Sequence, residues 1–168
     1  MTTYKRPSTE DAVAQGDVID GCPVLLVAQW NPDDWTSLQS KHVLQRVIVL
    51  TQTCDLAQAK VGRIVVAVVL AAQQLVDGGL LKPADIRGPI RAGRVFGWYY
   101  LPKCDEFGLP ESIVDLRQLQ TLPRDLLTGL CQRGKRLARF QPLAREHLAK
   151  HVADTDSHIG LLEPYPTD

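Results

Sequence analysis

The stretch Arg63-Ile64-Val65-Val66-Ala67-Val68-Val69-Leu70-Ala71 decides the fold. From Ile64 to Leu70 no polar side chain interrupts it, and five of those seven residues are β-branched. β-Branched side chains favour a pleated strand, and the absence of polar alternation means that both faces of the strand are covered. The apolar run from Ile64 to Ala72 is nine residues, too short to cross a hydrocarbon layer of about 30 Å as a helix. Such a strand needs partners in its own sheet and material packed above and below it. Upstream, Gly16-Asp17-Val18-Ile19-Asp20-Gly21 and Pro23 to Gln29 read as strands, Asn31-Pro32-Asp33-Asp34 as a turn, and His42 to Thr53 as a third strand. Downstream, a helix over Gln73 to Leu81 and a loop with Pro83 and Pro89 lead to strands at Arg94 to Leu101 and Glu111 to Arg117, joined by a hairpin loop, Cys104 to Pro110.

Beyond Leu122 the pattern turns helical. Pro123 opens a short helix through Leu130, and Pro142 opens a second through about Ala153, with Ala144, Leu148, His151 and Val152 on one arc. Short strands followed by packed helices predict a small, mainly antiparallel α+β domain with a helical insertion and C-terminal helices. We expect a flexible segment over 1–12, one domain over 13–160, and a tail over 161–168.

The chain has 168 residues, enough for one domain with a substantial core, which excludes a disordered or collagen-like chain. Its 19 Lys and Arg balance 19 Asp and Glu, but unevenly: residues 124 to 150 carry seven positive and two negative side chains, and 151 to 168 carry four negative and none positive. Arg133, Lys135, Arg136, Arg139 and Arg145 are therefore candidates for contact with nucleic-acid phosphates. Cys22, Cys54, Cys104 and Cys131 form no C-x-x-C pair, so no zinc site, metal or cofactor is expected. No apolar signal segment follows Met1 to Arg6, so we expect a cytoplasmic protein without a membrane segment.

Two words concentrate reactive groups. Thr51-Gln52-Thr53-Cys54-Asp55-Leu56 places hydroxyls, an amide, a thiol and a carboxylate at the end of a buried strand. Arg145-Glu146-His147-Leu148 lies on the last helix, with His151 one turn beyond His147. A histidine beside Cys54 would lower the thiol's pKa; the bland alternatives are a core filler for Cys54 and a turn cap for Asp55. Trp30, Trp35, Trp98, Tyr99 and Tyr100 read either as a stacking surface or, more commonly, as core bulk.

Gly16-Asp17-Val18-Ile19, Arg46-Val47-Ile48-Val49-Leu50-Thr51 and Arg63 to Val68 together resemble the opening strands of the MazF/PemK family, over roughly residues 16 to 71. That resemblance implies a small SH3-like β-barrel and, by position, Arg46 as a catalytic arginine and Thr51 as its hydroxyl partner in RNA cleavage. Val47 stands where the family has proline, and Val69-Leu70-Ala71 lacks the family's second hydroxyl. The TQTCDL and REHL words also resemble, over nearly the whole chain, a group of bacterial proteins in which a strand ending [ST]-Q-x-C-D-L precedes an R-E-H-L helix.

Three functions follow as expectations. One is a binding module for nucleic acid or protein within a bacterial toxin or phage-defence system, with homodimerisation open to it. Another is an endoribonuclease using Arg46 and Thr51, gripping RNA through the basic stretch. The last is a cysteine-dependent enzyme with Cys54 as nucleophile, His147 as base, and Asp55 or Glu146 as the orienting carboxylate.

Overall fold

The computed structural model describes residues 3–58 and 61–157. The strands are β1 (Tyr4–Lys5), β2 (Asp17–Asn31), β3 (Asp34–Val49), β4 (Arg63–Ala71), β5 (Trp98–Leu101), β6 (Ser112–Pro123) and β7 (Arg136–Phe140). The helices are α1 (Thr53–Ala57), α2 (Ala72–Asp77), α3 (Pro83–Asp85), α4 (Arg124–Gln132) and α5 (Pro142–Asp156), with a π-helical turn at Ile86–Ile90. The expected α+β class holds, and every strand pairing is antiparallel, in the order β1-β7-β2-β3-β4-β6-β5.

The reading of Ile64 to Leu70 as covered on both sides is correct. Ile64, Val66 and Val68 enter one apolar cluster with Val47, Val49, Leu127 and Cys131, beneath α4. Ala67 and Val69 enter another with Ile48, Tyr99, Phe140 and Leu148, beneath α5. A third cluster joins α2 and the π-helical turn to the sheet through Leu75, Ile86, Ile90, Trp98 and Ile113.

The expected barrel does not close. β1 and β5 are free edges, and no backbone ladder joins them. With two residues in β1 and four in β5, these edges are too short to zip together. Side chains seal the seam instead. The Tyr4 hydroxyl donates to the Pro102 carbonyl at 2.9 Å, and the Phe140 ring lies 5.4 Å from that of Tyr4 and 6.3 Å from that of Tyr99.

Residues 3 to 12, within the segment expected to be loose, are tied to the sheet. Tyr4 is buried and pairs with Phe140, and the Arg136 guanidinium donates to the carbonyls of Ser8, Asp11 and Ala12. Gly16 has φ +81°, and a Cβ there would meet the Phe140 Cβ at 2.7 Å, so only glycine lets β2 start this close to β7. The expected tail, 161–168, lies outside the described residues.

Two substitutions test the core. Val66→Asp puts an unpaired carboxylate at a fully buried position, and we expect no soluble folded protein, scored by yield and circular dichroism. Leu148→Ala empties a fully buried site under α5 and should cost about 2 to 5 kcal/mol in urea unfolding.

Candidate functional site

The open seam is a groove. A hollow of about 220 Å³ is lined by Thr3, Ile90, Arg91, Gly93, Tyr99, Tyr100, Pro102, Phe140, Ala144 and His147. A second, of about 380 Å³, is lined by Thr3, Tyr4, Lys5, Arg6, Pro102, Lys103, Cys104, Glu106, Phe107 and Gln141. The two meet at Thr3 and Pro102 and run between the edge strands. One wall is the N-terminal strand, the other is β5 with the loop that follows it, and α5 and the π-helical turn close one end.

Within the first hollow the Tyr99 hydroxyl lies 3.0 Å from His147 Nδ1. Burial pushes the Tyr99 hydroxyl well above its ordinary value, so it keeps its proton and can donate it to Nδ1, the role it takes when the imidazole's own hydrogen is not there. The neutral imidazole then carries its own hydrogen on Nε2, and the imidazolium carries one there too. In either state His147 offers Nε2–H as its remaining donor, which suits an anion.

Arginines and rings are paired along the groove. The Arg91 guanidinium sits 5.5 Å from the centre of the Tyr100 ring, and that of Arg6 sits 5.1 Å from Phe107 while donating to the Glu106 carbonyl. The Tyr100 hydroxyl donates to Glu111 at 2.6 Å; burial, reinforced by that carboxylate, pushes its pKa up to about 12. Lys5, Arg6, Arg91 and Lys103 are all solvent-exposed, with Lys103 3.0 Å from Asp105, so both ends of the groove carry cations.

Of the candidate catalytic and phosphate-contacting residues His147 lies in this groove, with Tyr99 and Tyr100 of the aromatic set beside it. His151, on the same helix, is buried between Phe96 and Tyr99, whose ring centres lie 6.5 and 5.4 Å away. The chain matches no known protein family and no curated protein at a significant level of similarity.

The other predicted residues lie elsewhere. Arg46 is held by Asp20 through Nε and Nη2 at 3.1 and 3.2 Å. Thr51 Oγ1 accepts the Val65 amide at 2.8 Å, pinning the end of β3 to β4. Cys54 and Asp55 are exposed on α1, with Cys54 Sγ 3.5 Å from Gln52 Oε1 and 3.9 Å from Asp55 Oδ1. Neighbouring Thr53 and Leu56 line a different hollow, with Asp11 and Arg139, and no hydrogen bond or shared cavity joins Cys54 to His147. Burial pushes the Cys22 thiol to about 12 and the Cys131 thiol to about 11, as expected of core fillers.

Of the basic stretch, Arg133 and Lys135 are exposed and Arg145 is half-buried. Arg136 and Arg139 instead turn inward to Asp17. Lys5, Arg6, Arg91 and Lys103, which line the groove, come from three separate places in the sequence and form no run longer than the Lys5-Arg6 pair. Tyr99 and Tyr100 were visible only as aromatics.

His151 gives a pH test. Burial lowers its pKa below the ordinary 6.5, so as pH falls past that value the unfolded chain takes up a proton that the folded chain refuses. Stability from this source is complete above 6.5 and declines below it. Urea midpoints measured down to about pH 5 should fall, and His151→Phe should flatten that part of the slope.

Proposed function

We propose that the protein binds single-stranded nucleic acid along the seam groove. The observation that carries this is the row of cations between the two edge strands, Lys5, Arg6 and Lys103 at one end and Arg91 at the other, with the half-buried Tyr100 ring beside Arg91. Proteins that hold single strands use this combination, cations for the phosphates and ring faces for the bases. The resemblance of residues 16 to 71 to MazF/PemK favours RNA as the strand. Arg46 engaged by Asp20 and Thr51 by a backbone amide favour binding over cleavage through those two residues. With Nδ1 bonded to the Tyr99 hydroxyl, His147 has Nε2 left to face a bound strand.

Fluorescence anisotropy with a labelled mixed-sequence RNA, its DNA counterpart and the duplex tests this reading. Single strands should bind best. If four groove cations meet phosphates, raising salt fourfold should weaken binding about fiftyfold. Arg91→Ala combined with Lys5→Ala should reduce affinity, Arg133→Ala combined with Lys135→Ala should leave it intact, and the RNA should stay whole. Absence of binding at low salt, or binding indifferent to salt, would refute the proposal.

A further inference from the structure

The β2–β3 hairpin leaves the sheet. β2 pairs with β7 only over Asp17 to Ile19, and β3 pairs with β4 only over Val47 to Val49. From Cys22 to Gln45 the ribbon pairs only with itself. A two-stranded ribbon is marginal in water unless a face is covered. Its inner face is covered near the base, where Cys22 and Val24 are buried. The register puts Pro23 opposite Leu44, Leu25 opposite His42 and Val27 opposite Ser40, all on the other face.

That outer face is apolar and bare. Leu25, Val27 and Leu44 are at least 59% exposed, and at the tip Trp30 and Trp35 stack at 6.0 Å while remaining 60% and 71% exposed. With Leu38 these side chains leave on the order of 700 Å² of apolar surface, above the usual largest patch of a monomer and close to the roughly 800 Å² that each partner contributes to a stable interface.

We infer that this arm docks face to face and antiparallel on the same arm of a second copy of the chain. The area fits that occupant: two such faces together make about 1,400 Å², within the range of a stable dimer. In a two-fold arrangement the tip of each arm lies against the base of the other, so the apolar faces meet. The inference is independent of the groove.

Sedimentation velocity on the full chain over a concentration series tests it. The wild type should run as a dimer at tens of micromolar, and Leu25→Glu with Leu44→Glu should weaken association by roughly a hundredfold, with circular dichroism and melting unchanged. A wild type monomeric at 200 µM overturns the inference, even if the arm then captures another protein, as does a Leu25→Glu, Leu44→Glu variant that dimerises like the wild type.

Discussion

The carboxylate of Asp17 is fully buried at the start of β2, and it accepts hydrogen bonds from the Ala14 amide at 2.9 Å, from Arg136 at 3.0 Å and from Nη2 of Arg139 at 2.9 Å. Two guanidiniums on one carboxylate would be costly if any were unpaired away from water. Here the remaining donors are used: both arginines also bond to the carbonyl of Ala12, and Arg136 reaches those of Ser8 and Asp11. The cluster therefore binds three pieces of chain at once, the N-terminal segment, β2 and β7. Only with that segment fixed does β1 lie along β7 as an edge strand, and β1 is one wall of the groove.

The groove follows from how the sheet ends. This sheet brings its edges together, Tyr4 reaching the Pro102 carbonyl, without enough backbone to pair them. Rings fill the gap: Tyr4, Tyr99 and Phe140 form the floor, and Tyr99 fixes His147 above it. At the other edge β6 is bent where three extra residues are inserted opposite Ala67 and Val68. Asp115 holds that bend by accepting from the Arg117 backbone and guanidinium and from Gln118, while Arg117 covers the Trp98 ring at 3.9 Å. Gly97, with φ +82°, leaves room for the Arg117 side chain, since a Cβ there would lie 2.8 Å from its Cγ. Each edge thus carries its own buried carboxylate, and the groove lies between them.

Much of the sheet was legible because burial leaves a pattern. Ile64 to Leu70 could only be a strand covered on both faces, and Pro123 and Pro142 marked the starts of α4 and α5. β7 was missed because Arg136 and Arg139 read as a basic, solvated run, whereas Asp17, more than a hundred residues away, draws both inward. β1 was missed because Tyr4–Lys5 carries no periodicity and takes its register from Phe140 and Arg139. Closure of a barrel depends on whether two edges hydrogen-bond, and no local pattern records that. Trp30 and Trp35, taken for core on base rates, are exposed because the hairpin outruns the sheet. At the site, His147 stood out by residue type, but Tyr99 and Arg91 arrive from other elements, and only the curl of the sheet brings the three together.

The measurement that tests this account most directly is amide hydrogen exchange on the wild type and on Asp17→Asn. Asparagine keeps the shape but leaves two buried guanidiniums without their anion, a change of the kind that costs about 3 to 5 kcal/mol. The account requires the amides of Lys5, Gly16 and Phe140 to lose protection before those of β4 and β6, or the whole chain to unfold. Unchanged protection at these three amides, with unchanged stability, would contradict it.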